Sequence, residues 1–300
     1  MAIGFVFPGQ GSQVVGMGRD LYAQHASVRT LWDNAEDWLS IPIKTVCFEG
    51  PEADLKQTQM AQLGIFLVSA SWLMVMADAG IEPTVVAGHS LGELTAYYAA
   101  GVYDLETALA VIAYRGEAMA AAYPSADSAM CAVMGIDESV LESVVAGLDD
   151  VVIANYNSPN QWVMSGTRAA VAAAGEAVTA AGAKRVVPLP VSGAFHSPLM
   201  APAAEQFAAY LADVPFQDAA FPIILNRTAE SEFEAEALRD NLSQQVRSSV
   251  LWTQSVRSMA DQVDTLYEVG PGKVLTGLVK KIAPGVSIQH CSNYAEEVSV

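Results

Sequence analysis

The chain has 300 residues, with 33 acidic side chains against 15 basic ones and a formal charge of −18 at pH 7. That balance argues against sequence-independent nucleic-acid binding, which depends on neutralising phosphates. Hydrophobic residues make up 52% and charged residues 16%, a composition that excludes a largely disordered chain and suits one large core with a smaller one beside it.

At the N-terminus, MAIGFVFPGQGSQ has no basic region, and its apolar run stops at Pro8 and Gly9. That run is too short for a signal or a membrane span, so a cytoplasmic protein without a membrane segment is expected. Ile3 to Phe7 predicts a strand, and Arg19 to Leu39 has the apolar spacing of one amphipathic helix that carries His25. Between them, GQGSQ matches neither GxGxxG nor GxxxxGK[ST], so a turn with its N–H groups facing an active site is expected in place of a phosphate loop. Gly64 to Ala79 reads as a buried helix, Thr84 to Ala87 as a buried strand, and the chain from Leu91 and from Leu105 to Ala122 as further helices.

A different rhythm starts near Ser125. Ala129–Gly135, Val151–Tyr156, Trp162–Ser165 and Lys184–Val191 are strand-like, while Glu138–Ala146 and Arg168–Ala181 are helical. This β-α-β-β-α-β order is that of a ferredoxin-like unit. Helix-and-strand alternation resumes at Leu199 and closes with the strand Thr265 to Val269, the turn GPGK and a last helix. The expected fold class is α/β, with residues 1–124 and 197–300 forming a large domain and residues 125–196 an inserted subdomain, the cleft between them being the natural place for a substrate.

Three residues stand out chemically. Ser90 lies in GHSLG, between a predicted strand and a helix, where glycines let the backbone turn sharply and expose the hydroxyl at a helix N-terminus. On the motif alone it is either a nucleophile or a helix cap. A serine nucleophile needs a base. His25 and His290 read as surface residues, and His89 should diverge from Ser90 at a tight turn, which leaves His196, a base or else a structural histidine at a domain crossing. Arg115 interrupts an otherwise apolar helix; it is either paired with an acid such as Glu117 or Glu93, or free to take a substrate carboxylate. Cys47, Cys131 and Cys291 show no metal-binding spacing and read as reduced structural thiols, and no metal site is expected.

In order along the chain, FVFPGQGSQ, GHSLGE, the YRG around Arg115, NSPNQ, GAFHSPLM and LYEVGPGKVLTGL resemble the malonyl-CoA:acyl carrier protein transacylases of fatty acid synthesis. The resemblance covers essentially the whole chain. It implies an α/β-hydrolase-like large domain with an inserted ferredoxin-like subdomain, Ser90 as the acylated nucleophile and His196 as its base. It also gives the substrate carboxylate to Arg115, and the oxyanion to the backbone N–H groups of Gln10 and Leu91. Gln62, Asn157 and Phe195 match residues lining the family's site, Phe195 being the form found in malonyl-selective relatives. The histidine would be oriented by a backbone carbonyl in SSVLWTQS, at Leu251, where family members often have glutamine or arginine.

The implied reaction is a ping-pong transfer from malonyl-CoA to the thiol of acyl carrier protein, by a monomer needing no cofactor. Lys184, Arg185, Lys273, Lys280 and Lys281 are the candidate docking bases for that acidic partner on an acidic chain. A serine hydrolase, a related acyltransferase of polyketide assembly or of a malonate decarboxylase, and a silent scaffold are the competing readings.

Overall fold

A computed structural model describes residues 2–191 and 193–291. The chain begins with β1 (Ile3–Phe7), then α1 (Arg19–Gln24), α2 (Ala26–Leu39), α3 (Ile43–Phe48), α4 (Glu52–Leu55) and α5 (Thr58–Asp78). It continues through β2 (Val85–Gly88), α6 (Leu91–Ala99) and α7 (Leu105–Ala121). A second group follows: β3 (Ser128–Met134), α8 (Glu138–Ala146), β4 (Val151–Ser158), β5 (Gln161–Thr167), α9 (Arg168–Ala180) and β6 (Arg185–Pro188). The last third holds α10 (Ala201–Leu211), β7 (Ile223–Ile224), β8 (Ser231–Glu232), α11 (Ala235–Gln245), α12 (Trp252–Ala260), β9 (Thr265–Glu268), α13 (Val274–Ile282) and β10 (Ser287–His290).

Two sheets result. The first has the order β10-β9-β1-β2-β7-β8, parallel except for β8 at its edge. Its central strands β1 and β2 are nearly continuous apolar runs, as strands covered on both faces must be. The carboxyl ends of β1 and β2 lie side by side, Phe7 against Gly88, so the loops that follow them meet at the edge where α/β sheets bind ligands. The most apolar helix, α5, has the length and hydropathy of a membrane span, yet most of it is buried in the protein's own core.

The second sheet, β4-β5-β3-β6, is antiparallel, and α8 and α9 enclose its own core around Trp162, Val133, Leu141 and Val178. Register shifts in β4 near Asn155 and Tyr156 break its pairing with β5. There β4 turns to the other layer: Tyr156 N donates to Val250 O at 2.9 Å and Val250 N to Ala154 O at 2.8 Å. This bridge ties β4 to the segment between α11 and α12, whose Leu251 N–H in turn donates to Asn226 O at 2.8 Å.

The expected elements are present, with three corrections. The alternation does not close on the helix after GPGK: β10 follows α13 and pairs parallel with β9. Arg19–Leu39 is two helices, broken at His25, which is extended at φ −113°, ψ 122°. Arg29 stabilises the break by donating to the free carbonyls of Tyr22 and Ala23 at 3.2 and 2.9 Å. His290, expected on the surface, is buried at the end of β10 with Nε2 at 3.0 Å from the Gly270 carbonyl. The three cysteines are buried and unbridged.

Candidate active site

Ser90 occupies the turn between β2 and α6 at φ 53°, ψ −105°. The turn is too tight for side chains on either flank: a Cβ on Gly88 would lie 1.8 Å from the Gly92 backbone, and one on Gly92 would lie 2.0 Å from the Phe7 carbonyl oxygen. The β1 loop packs equally closely, since a Cβ on Gly9 would lie 2.4 Å from the His89 carbonyl oxygen. Gln10 and Leu91, on the two loops, thereby line one cavity of about 420 Å³ together with Ser90, Gln62, His89 and His196. Asn157 from β4 and Phe195 are also part of its wall.

His196 reaches the cavity from the segment leaving the second sheet, and its Nε2 lies 2.7 Å from Ser90 Oγ. Its Nδ1 faces two carbonyls, Gln245 O at 3.1 Å and Ser248 O at 3.0 Å. Carbonyls only accept, so Nδ1 carries the proton and Nε2 presents its lone pair to the serine hydroxyl. Burial, then Arg115 and His89, push the imidazole down to about 3, against the pull of the two carbonyls. It is therefore a neutral base at physiological pH.

The expected segment does supply a carbonyl, but not at Leu251. Leu251 precedes α12, and its carbonyl accepts from the Ser255 N–H at 2.9 Å; the carbonyls that orient His196 belong to Ser248, the first residue of SSVLWTQS, and to Gln245, upstream of it. α11 ends at Gln245, and the turn that follows it leaves the Gln245 and Ser248 carbonyls facing the imidazole. His89 does turn away from the serine, with Nε2 at 2.8 Å from Asn157 Oδ1 and its ring edge-on to Trp252.

Arg115 lies on α7, 1% exposed. Neither suggested acid pairs with it. Glu117 accepts from Gln59 at 2.8 Å, and Glu93 accepts from the Asn226 N–H and from Asn241 Nδ2. The guanidinium donates instead to two neutral amides, Gln62 Oε1 and Gln245 Oε1, each at 2.8 Å, and its Nη2 stands 3.3 Å from Ser90 Oγ. Burial draws its pKa down to about 10, with Glu93 opposing from a distance. A buried cation without a contacting carboxylate, aimed at a serine hydroxyl, has the chemistry to receive an anionic acyl group.

Against known proteins, the acyl transferase domain family matches residues 4–291. The malonyl CoA-acyl carrier protein transacylase of Bacillus subtilis (strain 168) is 40% identical over 285 residues, 93% of this chain and 90% of that protein. The chain belongs to the malonyl-CoA:acyl carrier protein transacylase family. The crystal structure of the Synechocystis sp. PCC 6803 transacylase superposes at TM-score 0.93 and 39% identity over 100% of both chains. A type II PKS acyl-carrier protein in complex with its malonyl-transacylase matches at TM-score 0.94 and 37% identity, over 97% of this chain and 96% of that one.

Two residues of the site escaped the sequence reading. Gln245 touches the serine, the histidine and the arginine: Nε2 donates to Ser90 O at 2.8 Å, its backbone carbonyl faces His196, and Oε1 accepts from Arg115. Asn226, at the end of β7, accepts from the Ser90 N–H at 2.7 Å. In LNR after an apolar run, Asn226 looks like an ordinary turn residue, and Gln245 is one of two adjacent glutamines; nothing in the sequence marks either.

Because the native imidazole stays neutral to about 3, the ring ¹⁵N shifts of His196 should remain those of the Nδ1–H tautomer from pH 8 down to ~5. Over the same window the unfolded chain gains a proton there that the native state does not, so this residue lowers stability as the pH falls through ~6.5. Ring shifts showing a protonated imidazole near pH 6.5 would contradict the assignment.

Proposed function

We propose that the chain transfers a malonyl group from malonyl-CoA to the phosphopantetheine thiol of acyl carrier protein through a malonyl-Ser90 ester, supplying fatty acid chain extension. The observation that carries this reading is a single hydroxyl, Ser90 Oγ, held 2.7 Å from a neutral imidazole nitrogen and 3.3 Å from a buried guanidinium without a contacting carboxylate. A hydrolase needs the first contact and has no use for the second.

In the proposed cycle, His196 Nε2 takes the proton from Ser90 Oγ as the oxygen attacks the thioester carbon. The tetrahedral oxyanion is held by the N–H groups of Gln10 and Leu91, the latter the first of α6 and without an acceptor inside its helix. The C–S bond then breaks, the imidazolium proton passes to the CoA sulfur, and the malonyl ester remains. The carrier thiol gives its proton to His196, attacks the ester and leaves with the malonyl group as Ser90 recovers its proton. Throughout, Arg115 holds the free carboxylate while Gln62 and Gln245 keep its fork in place. Asn157 and Phe195 shape the acyl pocket.

The remaining parts of the reading follow the same line. We take residues 1–124 and 197–300 as an α/β-hydrolase-like domain and 125–196 as a ferredoxin-like insertion, supported by the strand order β4-β5-β3-β6. A cytoplasmic location is consistent with three buried, unbridged thiols, and the chain is taken to act as a monomer. Docking of the acidic carrier is assigned to exposed bases: Lys184, Arg185 and Lys281 share a hollow with Asn160 and Gln161, while Lys273 and Lys280 stand exposed outside its lining, at the start and in the last turn of α13.

Intact-protein mass after brief mixing with malonyl-CoA should show an adduct that Ser90→Ala abolishes and that moves to phosphopantetheinylated carrier; loss of the adduct to water regardless of carrier would make the chain a hydrolase. Arg115→Ala should reduce malonyl transfer on the order of 10²-fold or more while acetyl transfer holds or rises; equal losses would remove the carboxylate role. Reversing Lys184, Arg185 and Lys281 to Glu should raise KM for carrier protein several-fold without slowing malonyl-enzyme formation, and an unchanged KM would clear them of docking.

A further inference from the structure

The backbone of Ser90, φ 53° and ψ −105°, lies in a region that strains a residue with a Cβ and persists only where its surroundings impose it. Gly88 and Gly92 permit this turn by removing side chains that would collide, but permission does not hold it in place. The restraint comes from another strand. Asn226 follows β7, the parallel neighbour of β2, so it comes level with the elbow.

Every polar group of Asn226 is committed there. Nδ2 donates to Gly88 O at 2.6 Å, and Oδ1 accepts from Ser90 N at 2.7 Å. The Asn226 N–H donates to Glu93 Oε2, and its carbonyl accepts from Leu251 N at 2.8 Å. The residue is 0% exposed. Its side-chain amide therefore spans the turn, binding the carbonyl that precedes the nucleophile's neighbour and the N–H of the nucleophile itself. Glu93, on the first turn of α6, ties the helix that follows Ser90 to the same residue.

We propose that Asn226 is the positioning residue of the Ser90 elbow. This rests on Ser90 being the acylated residue. The bridge fixes the peptide groups around Ser90, so that Oγ points at His196 Nε2 without a conformational search. It also occupies the Ser90 N–H, which leaves the oxyanion to Gln10 and Leu91 and keeps a third donor from drawing the substrate carbonyl into a second, unproductive pose. Asn226 touches no reacting atom. Its effect falls on the rate of acylation and not on the affinity for malonyl-CoA.

The test compares Asn226→Ala and Asn226→Asp with wild type by the rate of malonyl-Ser90 formation, and by the Kd for malonyl-CoA in the Ser90→Ala background. Asn226→Ala should slow acylation about 10²-fold, the penalty of a nucleophile displaced by ~1 Å, with Kd changed less than ~3-fold. In Asn226→Asp, a buried carboxyl is neutral when protonated, and its O–H replaces the amide donor facing Gly88 O. Read as a ratio to wild type at each pH, which removes the titration that both share at Glu93, pushed up to about 7 and bonded to the Asn226 N–H, that variant should be slow at pH 8 and recover toward pH ~5; a purely structural asparagine would show no such recovery. A folded Asn226→Ala protein that acylates at the wild-type rate, or an Asp variant that stays slow in acid, overturns the proposal. Should neither variant fold, amide exchange on wild type decides: Ser90 N–H should exchange far more slowly than Leu91 N–H, and equal exchange overturns it. Wild type that forms no malonyl adduct refutes the transfer reaction instead, while the exchange measurement still reads the bridge.

Discussion

Arg115 keeps a full positive charge inside the protein with amides, not a carboxylate, in contact with it. Such a charge is tolerated where hydrogen bonds hold it and some negative charge stands within reach of its field. Gln62 and Gln245 supply the first at the two terminal nitrogens, while Nε has no partner among the described residues. Glu93 supplies the second only in part, from outside contact distance: burial pushes it up to about 7 against the pull of Asn226 and Asn241, so near neutral pH it is partly ionised. A carboxylate in contact would have neutralised the fork and closed the site to anions. The neutral amides and the remote acid leave it oriented and open.

The geometry around that charge is assembled from separate elements, each contributing a terminus. The β2–α6 turn brings Ser90, the loop after β1 brings Gln10, and the end of α11 brings the carbonyl and the side chain of Gln245. A helix C-terminus has surplus carbonyls and a partial negative charge, so placing an imidazole N–H there satisfies both partners and selects the tautomer. The same end of α11 also holds the Ser90 carbonyl through Gln245 Nε2. Serine, histidine and arginine thus share a reference point on one residue.

Period and punctuation made most of the fold legible: β3 to β6 and their helices fall within a few residues of where alternation places them, because half-buried strands and amphipathic helices write their faces into the order of residues. His25 was missed because the break it makes is closed by Arg29, a contact with no periodic trace. Ser90 was legible because its strained turn demands glycines at 88 and 92. Arg115 was legible as a charge in an apolar helix, but not its partners, since a glutamine 53 positions away in α5 or 130 positions away in α11 looks like any other glutamine. The resemblance places the orienting carbonyl within SSVLWTQS, where Ser248 supplies one, but not at Leu251; which carbonyls face the imidazole depends on where α11 stops. Contacts made through main-chain groups leave the residue type unconstrained, and so leave no mark in a single sequence.

In the proposed cycle the charge on Arg115 acts on binding and on chemistry together. While the site is empty, Arg115 is among the groups that hold the imidazole of His196 down. A malonyl carboxylate on the fork cancels much of that field, which raises the basicity of Nε2 at the moment it must take the serine proton and stabilises the imidazolium that results. An acetyl group offers no carboxylate: it leaves the guanidinium unneutralised and the base depressed. Discrimination then appears in the transition state as well as in the ground state, and an acyl group that enters the pocket without a carboxylate meets a weaker catalyst than the one malonyl meets.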